Sequence, residues 1–342
     1  MNPKILVIYT GGTIGMMQNP ETGALEPFPF DDVYVHIPML KLIKTEVDFF
    51  TLYPLIDSSD MKPDFWVRLA KTIHEKYLHY DGFVILHGTD TMSYTASALS
   101  FMFSHLAKPV ILTGSQLPLG VIRTDGRENI LNSIEIAAER ENDLPMVTEV
   151  CIYFEDKLYR GNRTYKEHAE MFNAFASSNY PFLAEVGVHI KYNKQYMHRE
   201  FDVNALVLED KLDADIAILK LFPGISEAVI RSVLDTPNLK AVILETFGSG
   251  NAPTSSWFIN PIQEAIEKGI IIYNVTQCKG GGSVALGKYN ASLQLSLLGV
   301  ISGYDITTEA AVTKMMHLLG NYEDKSLIKK LLVTPLKGEM TV

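Results

Sequence analysis

The chain has 342 residues, long for a single hydrophobic core, so two domains are expected. Hydrophobic residues make up 47% and charged residues 20%, an ordinary globular mix with enough apolar material for substantial cores. Forty Asp and Glu against 30 Lys and Arg give a formal net charge of −10, which argues against a general nucleic-acid binder while leaving room for a local basic pocket.

In chain order, short apolar runs rich in β-branched residues predict strands at 4–10, 47–55, 82–88, 109–114 and 149–154, with helical periodicity at 63–79, 91–106 and 126–140. Alternation of apolar strands with helices predicts an α/β fold, a parallel sheet covered on both faces. The polar stretch 189–212 reads as a linker. Beyond it the alternation resumes: strands at 216–224, 241–248 and 270–276, helices from 226 and around 261–268, and further helices towards the end. The expected layout is an N-terminal α/β domain over 1–188, a linker over 189–212, and a smaller Rossmann-like α/β domain over 213–342. No internal repeat or low-complexity segment interrupts it. Two cysteines, Cys151 and Cys278, make no disulfide framework and point to a reduced, cytoplasmic setting. The opening "MNPKILVIYTGG" reads as a first strand rather than a signal peptide, and no apolar run approaches the ~20 residues that span a bilayer, so no membrane association is expected.

Ligands of open α/β sheets bind beyond the carboxyl ends of the strands. Here those ends read "TGGTIG" (10–15), "DSSD" (57–60), "HGTDT" (87–91) and "TGSQ" (113–116), all small, hydroxylated or acidic. "TGGTIG" lacks the dinucleotide spacing and the Lys-Ser/Thr of a phosphate loop; a tight turn explains its glycines but leaves Thr13 unexplained. In "HGTDT", Asp90 or Thr91 could cap the following helix, yet a cap does not account for His87, Thr89, Asp90 and Thr91 together. "DSSD" is either an Asx-type turn with a cap, or a site in which Ser58 and Ser59 hold a carboxylate while Asp57 or Asp60 pairs with an amine. "KLYRGNRTYK" (157–166) is either a solvated basic loop or the source of one lysine that enters the site. The nine histidines form no metal-spaced cluster, and no G-x-S-x-G is present, so neither a zinc site nor the usual nucleophile elbow is supported.

Taken together, "TGGTIG", "DSSDM" (57–61), "HGTDTM" (87–92), "TGSQLP" (113–118) and "GNAP" (250–253) resemble the bacterial L-asparaginases, most of all their cytoplasmic type I branch, over essentially the whole chain. The resemblance implies hydrolysis of L-asparagine to L-aspartate and ammonia through a covalent acyl-enzyme, without cofactor or metal. It implies Thr13 as nucleophile, a second cluster of Thr89, Asp90 and Lys166, and Ser58, with Ser59 and Asp57 beside it, at the substrate α-carboxylate. Asp90 would also bind the α-amino group, and Asn251 would reach towards the site of a neighbouring subunit in a homodimer or homotetramer. The chemistry suits these types: an amide is a poor electrophile, so the site must activate a hydroxyl and stabilise an oxyanion. A nearby amine can do the first, and backbone N–H groups at Gly12–Thr13 and Gly88–Thr89 the second. Fixing both charged ends of the amino acid would hold the amide beside Thr13.

One departure stands out. The family places a Tyr on a lid shortly after the first Thr; here Ala24 occupies that place, and no other Tyr occurs between Tyr9 and Tyr34. Segment 16–30 is expected to form a lid that closes over substrate. The missing Tyr keeps a non-catalytic amino-acid sensor as the competing reading, although a sensor has no need of Thr13, Thr89, Asp90 and Lys166 together. A relative that deamidates tRNA-linked substrates fits the acidic charge poorly. Glutamine is expected as a weak second substrate. An effector site for asparagine at the turns 246–253 and 276–282 is left open, since Glu245 puts an acidic group there.

Overall fold

The structure, a computed structural model, describes residues 2–18, 25–27, 37–287 and 290–342. The chain divides into two compact units, Met1–Asp210 and Lys211–Val342. Unit 1 is built on an eight-stranded sheet. In chain order its strands are β1 (Lys4–Tyr9), β2 (Glu46–Thr51), β3 (Gly82–Leu86), β4 (Val110–Thr113), β5 (Val150–Phe154), β6 (Lys157–Arg160), β9 (Ala184–Val186) and β10 (Ile190–Tyr192); a separate two-stranded ribbon holds β7 (Tyr165–Lys166) and β8 (Phe175–Ala176). The order across the main sheet is β10-β9-β6-β5-β4-β3-β1-β2.

Strands β5, β4, β3, β1 and β2 are parallel. Ile5, Val7 and Ile8 of β1 and every residue of β3 are buried, because helices cover both faces and leave no polar side to the strand. Edge strand β2 is only half-buried and ends at Thr51, short of the expected residue 55. The remaining strands, β6, β9 and β10, run antiparallel at one edge of this mainly parallel sheet. Only Glu155 and Asp156 separate β5 from β6, and so short a connection permits nothing but a hairpin.

The helices follow their apolar spacing. In α1 (Pro63–Lys76), Phe65, Trp66, Leu69, Ala70 and Ile73 form the buried stripe. Helix α2 (Met92–Met102) is buried over nearly its whole length, and its small residues let other backbone come close: a Cβ added to Gly161 would lie 2.9 Å from Ala96 Cβ. It stops at Met102 rather than 106 because Phe103 and Ser104 pair as a short strand with Leu208 and Val207. Helix α3 (Gly126–Ala138) turns Ile130, Ile134 and Ala137 inward.

The expected linker at 189–212 is not a free connection. Ile190–Tyr192 is a sheet strand. Beyond it, the Tyr196 carbonyl accepts from Arg160 at 2.9 Å and the His198 N–H donates to Glu149 at 2.9 Å. Arg160 and Glu149 form a buried ion pair of 2.5 Å, so this polar stretch pairs with polar groups that the unit has already buried.

Unit 2 carries a parallel sheet in sequential order, β11 (Ile216–Lys220), β12 (Ala241–Thr246), β13 (Ile271–Thr276) and β14 (Ile301–Ser302). Its helices are α4 (Glu227–Leu234), α5 (Ser256–Glu267), α6 (Asn290–Leu298), α7 (Thr308–Asn321) and α8 (Lys325–Leu332). Helix α5 starts a turn before the expected position, with Pro261 inside it and buried. Among the described residues, no helix is long and apolar enough to cross a membrane.

Candidate active site

The parallel register sets Tyr9 opposite Thr51 and Leu86, and Leu86 opposite Thr113, so four strands end side by side. Backbone and hydroxyl bonds lace the four motifs that follow. The Thr10 hydroxyl donates to the Leu86 carbonyl at 2.9 Å, and the Ile56 N–H to the Thr10 carbonyl at 3.0 Å. The His87 N–H reaches the Thr113 carbonyl at 2.9 Å, and the Thr91 hydroxyl the Ser58 carbonyl at 2.7 Å.

The glycines of "TGGTIG" let this lacing close. Gly11 and Gly12 have φ of 127° and 87°, which L side chains rarely adopt. A Cβ on Gly11 would lie 2.1 Å from the Ile56 carbonyl oxygen, and one on Gly12 2.5 Å from both Cα and N of Gly88. Gly88 is equally confined on another side, where a Cβ would lie 2.5 Å from Ser58 Oγ. Thr13, half-buried, follows directly as the first residue of a one-turn 3-10 helix, Thr13–Gly15. The Tyr9 hydroxyl donates to the Gly15 carbonyl at 3.0 Å, and burial pushes that phenol up to about 12, so it anchors the turn as a neutral donor.

Lys166 comes from beyond the antiparallel strand β6. After β6 the chain crosses α2 at Gly161 and returns in β7, which brings Lys166 Nζ to 2.7 Å from Thr89 Oγ1 and 2.7 Å from Asp90 Oδ1. The lysine side chain is 19% exposed and the aspartate 63%, so the pair sits at the mouth of the site. Neither Asp90 nor Thr91 caps α2 through its side chain, since the Thr91 hydroxyl is turned to Ser58. Of the basic loop, Arg160 and Arg163 are buried with their guanidinium groups over the Tyr180 ring, so the solvated reading does not hold for them.

The structure thus brings Thr89, Asp90 and Lys166 into contact, with Ser58 and the Thr13 turn against the Gly88 backbone. Asp57 and Ser59 behave differently. Asp57 Oδ1 accepts from both the N–H and the hydroxyl of Ser59 at 2.8 Å, capping the turn Ser58–Asp60, and these bonds hold its carboxyl below the usual range. The Asx-turn reading therefore describes these two side chains as they stand. Asn251 belongs to unit 2, on the turn after β12, where its N–H donates to the Phe247 carbonyl at 2.8 Å. Its Oδ1 is buried without a hydrogen-bond partner among the described residues. Glu245 of the same unit is paired with Lys220 at 3.1 Å and accepts the Thr308 hydroxyl at 2.7 Å. Residues Met16–Gln18 and Leu25–Pro27 of the expected lid pair as antiparallel strands, while Ala24 and Tyr34 lie outside the described residues. Among the described residues no three His, Cys, Asp or Glu side chains gather as a metal site.

Two residues of the strand-end motifs, Gln116 and His87, make contacts that the motifs alone do not convey. Gln116 donates to the Ala169 and Met171 carbonyls at 3.1 and 2.9 Å, tying the fourth strand end to the chain just beyond Lys166. His87 is buried, with Nδ1 2.6 Å from the Gly88 carbonyl oxygen and Nε2 2.9 Å from Thr95 Oγ1, and burial pushes its imidazole down to about 4. The partners of Gln116 lie 53 and 55 residues further along the chain, out of reach of any local signal, whereas those of His87 are the next residue and one eight residues on.

Fold and site define an α/β protein with a hydroxyl, carboxylate and amine cluster at the carboxyl edge of a mainly parallel sheet. Residues 4–198 match the family model described as asparaginase, N-terminal, and residues 215–332 the glutaminase/asparaginase C-terminal domain. L-asparaginase 1 of Escherichia coli K12 is 44% identical over 99% of this chain and 98% of its own. The 60 kDa lysophospholipase of Mus musculus is 39% identical over 99% of this chain, which spans 63% of that protein. The crystal structure of L-asparaginase I from Vibrio cholerae superposes with a TM-score of 0.90 at 40% identity, covering 100% of both chains. This chain belongs to the asparaginase family.

Proposed function

We propose that this chain is an L-asparaginase that hydrolyses the side-chain amide of L-asparagine to L-aspartate and ammonia. The observation that carries the reading is Lys166 Nζ, 2.7 Å from both Thr89 and Asp90, next to the strand end on which the Thr13 turn rests. Thr13 Oγ attacks the amide carbon, and the developing oxyanion is received by N–H groups of the Gly12–Thr13 and Gly88–Thr89 turns. The C–N bond then breaks, the nitrogen leaves as ammonia with the proton that Thr13 gave up, and a threonyl ester remains. Water adds to the ester carbonyl, aspartate leaves, and the Thr13 hydroxyl is restored. Lys166 and Asp90 hold Thr89 in place for proton movement, Asp90 faces the substrate ammonium, and Ser58 receives the α-carboxylate, with Asp57 and Ser59 shaping its turn.

Glutamine is a weak second substrate in this reading, since one methylene is worth only ~1–3 kcal/mol of discrimination. The protein works in the cytoplasm as a homodimer or homotetramer in which Asn251 reaches a neighbour's site, and its unpartnered buried Oδ1 supports a role in binding a donor. The test is ammonia release from L-asparagine by wild type, Thr13→Ala and Thr89→Val. We expect kcat to fall at least ~1,000-fold in Thr13→Ala. Equal, background-level release by all three would defeat the reading.

A further inference from the structure

We infer that Trp66, Thr95 and His87 form a hydrogen-bond chain of fixed polarity that positions the Gly88–Thr89 peptide, and with it the Thr89 N–H. The inference rests on the reading above, in which that N–H receives the oxyanion. Trp66 Nε1 lies 2.9 Å from Thr95 Oγ1, Thr95 Oγ1 lies 2.9 Å from His87 Nε2, and His87 Nδ1 lies 2.6 Å from the Gly88 carbonyl oxygen.

The two ends fix the direction of every proton. An indole N–H can only donate, and a carbonyl oxygen can only accept. The Gly88 carbonyl accepts its hydrogen bond from His87 Nδ1, which leaves Nε2 bare to accept from the Thr95 hydroxyl, while the Thr95 oxygen accepts from Trp66. The opposite tautomer would set the Nδ1 lone pair against the carbonyl lone pairs at 2.6 Å. Burial disfavours the imidazolium, so a doubly protonated ring does not remove the constraint at neutral pH.

A peptide unit is planar and trans, so its C=O and N–H point in opposite directions. Locking the Gly88 carbonyl against His87 consequently sets the Thr89 N–H, which makes no hydrogen bond among the described residues. Gly88 cannot be held by a side chain of its own, because Ser58 occupies that space. The imidazole supplies the hold instead, from the buried side, and Thr95 and Trp66 keep the imidazole in the one tautomer that works. These are positioning residues; none touches the reacting atoms.

The test compares Thr95→Val, which keeps the shape and removes the hydroxyl, with Thr95→Ser, which keeps the hydroxyl. Removing an oxyanion donor costs ~100–1,000-fold in kcat, and misdirecting one costs less, so kcat should fall at least ~10-fold in Thr95→Val with KM within ~2-fold. Thr95→Ser should restore most of that loss. Wild-type kcat in Thr95→Val overturns the inference, whatever happens to its melting temperature, and so does equal impairment in both variants. Side-chain nitrogen-15 NMR of His87 in the wild type at pH 7 stands apart from any folding defect: a protonated Nδ1 and a bare Nε2 are expected, and the reverse overturns the inference. Because wild-type turnover is measured on the same samples, an inactive wild type marks failure of the asparaginase reading, and an active wild type with an equally active Thr95→Val marks failure of the positioning chain alone.

Discussion

Gly88 is the residue on which the spacing of the site depends. Its backbone faces Gly12 on one side and the place of its missing side chain is taken by Ser58 on another, so three strand ends meet at this residue. In Gly88→Ala the new Cβ would sit 2.5 Å from Ser58 Oγ and 2.8 Å from its Cβ, and one of these loops must move. Overpacking of this kind costs ~1–3 kcal/mol. A lower melting temperature and a larger loss in kcat/KM than in stability are expected, read by thermal unfolding and ammonia release. Lys166→Met tests the amine directly: it keeps the length of the side chain, and loss of a proton-handling group typically costs ~100–10,000-fold in kcat. A loss under ~10-fold would move the amine out of the chemistry. At this scale the sequence was informative where a motif is local. Thr13, Thr89 and Asp90 stand at strand ends within short strings, but Trp66 is 29 residues from Thr95, and nothing in a string shows that an indole will face a hydroxyl on another helix.

Among the elements, the parallel strands were legible because burial on both faces leaves continuous apolar runs. The antiparallel edge was not. Strand β6 reads as basic because Arg160 is buried through an ion pair with Glu149 and stacking on Tyr180, which periodicity cannot anticipate. The polar stretch after residue 189 meets the same buried pair, through the Tyr196 carbonyl and the His198 N–H. Unit 2 contains a stronger case of this kind. Lys314 of α7 is fully buried, 2.6 Å from Glu339 and within 3.0 and 2.8 Å of the Leu332 and Thr334 carbonyls, while Glu339 accepts the N–H groups of Leu336 and Lys337. This one lysine fastens the end of the chain to α7. Lys314→Met would leave the Glu339 carboxylate buried without its cation, and breaking such a pair costs ~3–5 kcal/mol. Urea unfolding of Lys314→Met should show that loss, and Lys314→Met/Glu339→Gln should recover part of it. No recovery would mean that the carbonyl contacts, rather than the ion pair, hold the tail.

For the whole molecule, the α/β class and the presence of a separate second sheet followed from alternation alone, since each unit repeats the strand–helix pattern with its own core. What alternation could not convey is how acid acts on the fold. His87 is held neutral by burial, its imidazole at about 4 against 6.5 when unfolded. Above pH 6.5 both states are neutral there and the group contributes nothing. As pH falls, the unfolded chain binds a proton that the folded chain refuses, so stability drops through the window from 6.5 to 4 and then levels off. The cost is about 2 kcal/mol at pH 5 and about 3 kcal/mol by pH 4. Asp57 acts in the same sense but lower, because its depressed carboxyl loses its advantage only as pH falls through the carboxylate range. Comparison with His87→Gln isolates the imidazole: the variant lacks the titration, so the stability gap between the two proteins should narrow by about 2 kcal/mol from pH 7 to pH 5. The chain has two tryptophans, Trp66 in unit 1 and Trp257 in unit 2, so fluorescence in a Trp257→Phe background follows the unit that contains His87. A gap that stays constant with pH would mean that His87 titrates in the folded protein as it does in the unfolded chain.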